Sequence, residues 1–305
     1  MSVLRTYRAV VPLFLAAIGA AGCASPAIPS GAPARSDLGL GELLASHGGA
    51  SAWKRHAAVS FGYRMRPRGM DEFLEFPAVA FRLRDYRHIW LRSHEDDRWV
   101  RVSLERPSGF IDPELERTVT ALNPQWTGDP GAIDFAFRAL RHLFQPVLST
   151  TNGPWSVRRL VAPAGVRAPR TVEIVPRTAT SPLAACLLLE DPASGLLAAT
   201  VSATSHPWIG ADTVRTTFTR YEESSGVRVS RRRVHDAGGN ATESAIDPFN
   251  AIAGPAPPPP VLEEEITTVT FLDERFAQTH LLLPGEDEQG DPSGDERGAP
   301  DASGD

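Results

Sequence analysis

The stretch VSFGYRM, residues 59–65, places a large apolar side chain at every second position, with serine, glycine and arginine between them. This period of two is typical of a β-strand that buries one face and exposes the other. The same alternation returns many times along the chain, so residues 59–65 predict a fold built mainly from β-strands.

Ten further segments show strand patterns, and a weaker twelfth candidate lies at residues 241–246. Some neighbouring segments are separated by a few turn residues, such as 95–97 and 224–226, which favours antiparallel pairing. The sequence therefore predicts one antiparallel sheet of about eleven strands. The ten segments are residues 72–83, 87–94, 98–105, 156–161, 171–175, 184–190, 196–203, 213–222, 227–235 and 264–272.

Helices are predicted at two places. A first helix begins near Asp37 and ends at the glycine pair after His47, and a short turn over residues 50–56 follows it. A central helix begins at residues 129–131 (DPG), and its apolar side chains recur every three or four positions up to Phe144. The concave face of a curved sheet would cover this apolar stripe, although an ordinary core helix fits equally well. The predicted fold class is mainly β (α+β), a single curved antiparallel sheet or half barrel with helices packed in its concave face.

The N-terminal segment has the features of a removable export signal. Arg5 and Arg8 precede an apolar run at residues 9–18, which is too short to span a membrane as a helix of about 20 residues. The sequence AAGC that ends at Cys23 resembles the lipobox of bacterial lipoprotein signal peptides. The resemblance implies cleavage before Cys23 and attachment of diacylglycerol and a further palmitate-type acyl chain there. A plain signal peptide with an incidental cysteine is the alternative.

The chain divides by composition into four parts. We expect a lipoprotein signal peptide at residues 1–22, a flexible tether at 23–36, a folded β domain at 37–284 and a disordered acidic tail at 285–305. Ala24, directly after the cysteine, resembles the sorting signal for the outer membrane of diderm bacteria. We therefore expect the lipid anchor to hold the protein at the periplasmic face of that membrane.

The charge distribution excludes a nucleic-acid partner. Removing residues 1–22 leaves 29 basic residues against 37 acidic ones, a net charge of −8, because that segment holds two arginines and no acid. The tail at 285–305 alone carries eight acids and one base. The remaining body is nearly neutral and has no basic surplus to hold a phosphate backbone.

The sequence offers no motif for catalysis, a metal or a cofactor. It contains no Gly-x-Ser-x-Gly, no His-Glu-x-x-His and no phosphate-binding glycine loop, and His94 with the acids after it is typical of a hairpin turn. Cys186 lies in the apolar run LAACLLL, where a thiol usually behaves as a small buried hydrophobe. A nucleophilic Cys186 would need nearby positive charge that the local sequence lacks.

Aromatic side chains are the main candidates for a binding site. They could line an apolar cavity between the sheet and the central helix, or they could form an ordinary core. Arg231 and Arg233 share the strand face of Val227 and Val229, so they could contact a ligand headgroup if that face is concave and would be solvated if it is convex. The candidate cavity residues are Trp90, Trp99, Phe137, Leu140, Phe144, Trp155, Phe218 and Phe271.

Residues 43–53 (LLASHGGASAW), followed by the strand at 59–63, resemble the start of the outer-membrane lipoprotein carrier and receptor family (LolA/LolB type). The resemblance implies a strongly curved sheet of about eleven strands with helices in its mouth, and a cavity that holds acyl chains. His47 and Trp53 are carried over as members of the structural motif. The carrier's lid arginine and the receptor's protruding leucine loop match no position in this chain.

Two functions follow as hypotheses. The first is a lipid-anchored, periplasm-facing binding protein without catalysis that holds an apolar ligand, the acyl chains of a lipoprotein or lipid, in the half barrel. The alternative is a structural or scaffolding outer-membrane lipoprotein with a self-filled core, which binds a protein partner through a sheet edge or the acidic tail. An enzyme of unknown type is a third possibility that the sequence does not favour.

Overall fold

The computed structural model describes residues 36–93, 97–106, 111, 113–161, 171–177, 181–237, 260–284 and 286. Several predicted features lie outside these residues: the signal peptide, nearly all of the tether with Cys23, the turn at His94, the weak twelfth strand and almost all of the acidic tail. The folded part is one compact unit that begins at Ser36.

All eleven strongly patterned segments form strands of one antiparallel sheet, which confirms the predicted fold class. The strand order is β4-β3-β2-β1-β11-β10-β9-β8-β7-β6-β5, so the first strand pairs with the last, and β4 and β5 are the edge strands. The strands are β1 (Ala58–Pro67), β2 (Leu74–Arg82), β3 (His88–Arg92), β4 (Trp99–Ser103), β5 (Trp155–Val161), β6 (Thr171–Pro176), β7 (Leu183–Glu190), β8 (Leu197–Thr204), β9 (Thr213–Ser224), β10 (Val227–Ala237) and β11 (Leu262–Leu272).

Six helices accompany the sheet within the described residues. The predicted first and central helices are present as α1 (Ser36–Ser46) and α4 (Pro130–Leu143), and the turn at residues 50–56 is the helix α2 (Gly49–Lys54). Asp129 caps α4, because its carboxylate accepts a hydrogen bond from the amide of Gly131 at 2.7 Å. The sequence prediction missed α3 (Pro113–Leu122), α5 (Ser149–Asn152) and α6 (Glu274–His280). No helix within the described ranges is long and apolar enough to cross a membrane.

The alternation in β1 separates two hydrophobic clusters on the two faces of the sheet. Val59 and Phe61 face the main core with α4, whereas Ala58 packs with Trp90 under α6 on the opposite face. The pairing of β1 shifts register between Phe61 and Tyr63 against both neighbouring strands. Such a bulge bends a strand and increases its twist, so it contributes to the curvature of the sheet around α4.

Candidate functional site

Helix α4 and the segment after it occupy the concave side of the sheet. Every residue from Ala132 to Thr150 is buried. The ring of Phe144 stacks on Phe61 with centroids 5.0 Å apart and meets Phe81 edge-on at 5.1 Å. Phe137 contacts Tyr63 and Phe76 at centroid distances of 5.6 and 5.2 Å. The space for which the sequence predicted a ligand is therefore lined and filled by the protein's own aromatic side chains.

The structure brings most of the candidate cavity residues together. Phe137, Leu140, Phe144, Trp155 and Phe218 belong to one buried cluster, and Phe271 packs at its margin against Trp53 and His56. Trp90 and Trp99 lie apart from this set, since they pack on the opposite face of the sheet, under α6. The alternation in β3 places Trp90 there, while its neighbours Ile89 and Leu91 enter the main core.

Arg231 and Arg233 have different surroundings. Arg233 has no exposed surface; its Nη1 lies 3.6 Å from Glu264 Oε2 and its Nη2 donates to the carbonyl of Phe144 at 3.3 Å. Arg231 instead forms an ion pair with the exposed Glu222 at 3.0 Å. The two arginines therefore do not form one headgroup site in this structure, and the charge of Arg233 is directed toward Glu264.

Glu264 is the centre of a buried polar cluster. It accepts hydrogen bonds from Tyr63 Oη at 2.6 Å and from His235 Nε2 at 2.8 Å. Burial would raise the pKa of Glu264, but the charge and hydrogen bond of His235, together with Arg233 and Tyr63, hold it below the usual value. Glu264 is therefore ionised at neutral pH, and its partners compensate its charge inside the core.

Polar contacts fix α4 between the two ends of the sheet. Asp134 accepts from Arg138 Nε at 2.7 Å and pairs with His206 Nε2 at 3.0 Å. Near the β4 end, Arg138 Nη1 donates to the carbonyl of Leu104 at 2.7 Å, and at the β5 end Trp155 Nε1 donates to the carbonyl of His142 at 2.7 Å. Helix α4 thus bridges the two terminal strands of the sheet.

The His-Gly-Gly motif has a structural role in this fold. The amide of Leu197 donates to His47 Nε2 at 3.3 Å, so Nδ1 carries the proton and donates to the carbonyl of Leu43 at 2.9 Å. Burial lowers the pKa of His47 to about 4, which keeps the ring neutral. Trp53 is buried and donates to the side-chain oxygen of Asn152 at 2.9 Å. The motif therefore joins α1 and α2 to β8 and α5.

The one cysteine among the described residues is inert in this position. Cys186 is buried, and burial raises the pKa of its thiol to about 11 although Ser202 Oγ donates a hydrogen bond to the sulfur at 2.9 Å. The thiolate that nucleophilic chemistry requires is therefore unfavourable at neutral pH. The described ranges also contain no cluster of three or more side chains suited to holding a metal ion.

A cavity of about 510 Å³ lies on the outer side, away from the predicted interior site. It forms between the β2–β3 turn, the residue that precedes β1, and α6 with the segment that follows it. Its lining combines arginines with apolar side chains, chiefly Arg82, Arg84, Arg87, Ala57, Ala277 and Leu283. The sequence did not predict this cavity, because α6 lies more than 180 positions along the chain from the β2–β3 turn and from the residue that precedes β1.

No family model matches this chain, and no curated protein was found to match it. Among solved structures, the chain is similar to an outer membrane lipoprotein-sorting protein domain from Vibrio parahaemolyticus, with 10% identity and a TM-score of 0.38 over 79% of this chain and 95% of the other. A LolA superfamily protein from Nitrosomonas europaea gives 8% identity, a TM-score of 0.38 and the same two coverages. A DUF1329 family protein from Desulfovibrio piger gives 8% identity and a TM-score of 0.38 over 81% and 99%.

Proposed function

We propose that this protein is a membrane-tethered, non-catalytic binding protein of the bacterial envelope, whose half barrel is filled by its own helix α4 and whose ligand or partner binds on the outer side. The observation that supports a filled interior is the burial of every residue from Ala132 to Thr150. An acyl chain needs apolar space of its own, and the aromatic contacts of Phe137 and Phe144 already occupy this space.

Displacing α4 would be costly for electrostatic reasons. The guanidinium of Arg138 and the carboxylate of Asp134 are both about 1% exposed and bonded to each other and to Leu104 and His206. Displacing α4 would break the contacts of these two charged groups with the Leu104 carbonyl and with His206, and a hydrogen bond to a charged group contributes about 1.5–3 kcal/mol. We therefore favour the scaffolding form of the hypothesis, in which the half barrel is a stable body that presents its outer surface.

The second candidate is an apolar-ligand holder in which acyl chains replace α4. It is favoured by the concave face itself, which presents a continuous apolar surface from Phe61, Phe76 and Phe81 once α4 is set aside. A buried acyl chain gains about 0.8 kcal/mol per methylene, so a long chain supplies enough free energy to compete with the helix.

One experiment separates the two candidates. The mature chain carrying Cys23→Ser is mixed with palmitate and followed by native mass spectrometry and by amide hydrogen exchange. We expect unchanged protection of residues 132–148, including in any palmitate complex that forms on the outer side. A one-to-one complex in which those amides lose protection would instead establish the exchange of α4 for an acyl chain.

The membrane tether is tested separately. In cells, the wild-type chain should fractionate with the outer membrane and incorporate a labelled fatty acid, whereas Cys23→Ser should do neither. A Cys23→Ser chain that still fractionates with the membrane would contradict acylation at this residue as the anchor.

A further inference from the structure

The cavity on the outer side has the size and lining of a small-molecule site. Its volume of about 510 Å³ lies in the range of ligand pockets, about 300–1,000 Å³. Apolar surface from Ala57, Ala277 and Leu283 faces arginine side chains from the end of β2 and the turn after it. Such a lining suits a molecule with an apolar part and an anionic part.

Arg84 supplies an uncompensated positive charge at this cavity. It is exposed and makes no hydrogen bond or ion pair with any residue of the described ranges. The other arginines of the lining are paired: Arg82 contacts Glu286, and Arg87 lies 3.6 Å from Asp85 and 3.2 Å from Glu105. A ligand anion would therefore find its charge complement at Arg84.

The acids near Arg84 differ in how far their charge is compensated. Asp85 accepts hydrogen bonds from His88 Nδ1 at 2.9 Å and from the amide of Arg87 at 3.2 Å. Glu274 is exposed at the first turn of α6 and accepts one hydrogen bond, from Gln278, at 3.4 Å. Glu274 is thus the acid of the lining that most opposes a ligand anion.

The turn itself is held in place from the interior. Arg141 lies over the ring of Phe81 and donates hydrogen bonds to the carbonyls of Arg82 at 2.9 Å and Asp85 at 2.6 Å. Burial lowers the pKa of Arg141 to about 10, so it stays charged at neutral pH. Because these carbonyl oxygens are bonded on the core side, the turn presents side chains to the cavity while its backbone is fixed.

Glu286 shows how one arginine of the cavity lining, Arg82, holds a carboxylate. Its two oxygens receive Nη1 and Nη2 of Arg82 at 3.1 and 2.8 Å, and one of them also accepts from the amide of Leu283 at 2.8 Å. Paired guanidinium contacts of this kind are specific for planar oxyanions. The neighbouring Arg84 offers the same chemistry without an internal partner.

We propose that the outer cavity binds an anionic amphiphile, with Arg84 holding its carboxylate or phosphate and the apolar lining covering the adjoining hydrocarbon. This inference rests on the proposed binding function on the outer side, for which it names the site and the ligand class. The oxyanion can belong to a free molecule or to a lipid headgroup at the membrane surface.

The test uses the full mature chain with Cys23→Ser and two probes, octanoate in solution and vesicles containing phosphatidylglycerol. Octanoate affinity is measured by calorimetry, and vesicle binding by flotation. Arg84→Ala should weaken octanoate binding about tenfold, the loss expected for a charge-assisted contact. Glu274→Gln should strengthen it a few-fold, since it removes a repelling charge. The matched control is Arg68→Ala. Arg68 is an exposed arginine in the turn after β1, at the end of that strand far from the cavity.

Binding of octanoate that depends on Arg84 supports the site with a free ligand as its occupant. Binding of the vesicles that depends on Arg84 supports the site with a lipid headgroup. Absence of binding to both probes, or binding that Arg84→Ala and Arg68→Ala change equally, overturns the proposal. Both of these results are independent of the hydrogen exchange of α4. The outer site can therefore be disproved while the filled half barrel stands.

Discussion

Gly48 lies at a position where any side chain would clash with the backbone of a distant turn. Its backbone has φ +102°, and a Cβ built there would lie 1.9 Å from the carbonyl oxygen of Gly226 in the β9–β10 turn. The close approach lets α1 and α2 pack on that turn, and the amide of Arg228 donates to the carbonyl of His47 at 3.2 Å beside it. The glycine pair of the sequence motif therefore marks a contact between distant segments as well as a helix end.

We expect Gly48→Ala to lower the free energy of unfolding by about 3 kcal/mol, because it combines backbone strain with a clash against backbone atoms. Gly69→Ala is the control, since Gly69 also has a positive φ of +86° but a Cβ there meets open space. The control should cost about 1 kcal/mol. Urea denaturation measures both, and equal losses would mean that the contact with Gly226 contributes nothing.

Buried neutral histidines predict an acid-sensitive fold. Burial lowers the pKa of His142 to about 3 and that of His47 to about 4. Both would titrate near 6.5 in the unfolded chain, so unfolding takes up protons once the pH falls below that value. The free energy of unfolding therefore keeps its full value above pH 6.5. It falls as the pH drops from 6.5 toward the folded pKa values of the two histidines.

The variant His142→Phe should therefore flatten this pH dependence. His142 Nε2 has no hydrogen-bond partner, so a phenyl ring can replace the imidazole at the cost of the contact from Nδ1 to the Arg138 carbonyl. Near pH 5 the slope of unfolding free energy against pH should drop by about 1.4 kcal/mol per unit, the contribution of one proton. Denaturation curves between pH 5 and 6.5 provide the measurement, and an unchanged slope would contradict a neutral buried His142.

At the scale of elements, the sequence pattern of α4 predicted the environment of its apolar face but not that of its charged side chains. The apolar spacing from Ile133 to Phe144 predicted the face that packs on the sheet. A flanking side of the helix, about 100° around from that face, carries Asp134, Arg138 and Arg141, which a helical pattern alone assigns to solvent. Their burial depends on carbonyls and His206 contributed by distant segments, and no local pattern encodes such partners.

A double-mutant cycle tests how much the ion pair in α4 contributes. Arg138→Met should destabilise the protein by about 3–5 kcal/mol, because it leaves Asp134 buried without its main counter-charge. The double variant with Asp134→Asn should lose less than the sum of the two single variants. The comparison is the pair of half-buried Arg64 and exposed Glu75, 3.0 Å apart, for which Glu75→Gln should cost less than about 1 kcal/mol. Additive losses in α4 would contradict direct coupling.

Among the helices that the sequence did not predict, α6 was missed because its composition gives little sign of a packed helix. It spans seven residues and has few apolar side chains, and only Ala277 within it is buried. Its position follows from the outer face of the sheet, where Ala58, Ala80 and Trp90 form a second apolar cluster that requires a cover. The strand alternation predicted that second face, but the segment that covers it became evident only in the folded chain.

At the scale of the whole molecule, the C-terminal part of the described chain should be required for stability up to Glu286. A chain that ends after Asp273 exposes Trp90 and its neighbours and removes Leu281, so we expect a loss of about 3 kcal/mol or more. A chain that ends after Gln289 keeps α6 and the contact between Glu286 and Arg82, and should unfold within about 1 °C of the full chain. Thermal denaturation of both compares them directly, and equal destabilisation would contradict the role of α6 as a cover.

The sequence by itself determined the eleven strands, their antiparallel pairing and the central helix, because these depend on local periodicity and short turns. It also predicted most of the aromatic residues of the interior, except that Trp90 and Trp99 lie on the outer face, and it could not tell whether the interior rings would line a space or fill it. The tertiary structure decided that question, together with the pairing of Arg233 with Glu264 and the cavity beside Arg84. Each of these depends on residues that are distant in the chain and meet only through strand pairing or through the packing of α4 and α6 on the two faces of the sheet. The energy of a buried charge or a filled space is set by those neighbours.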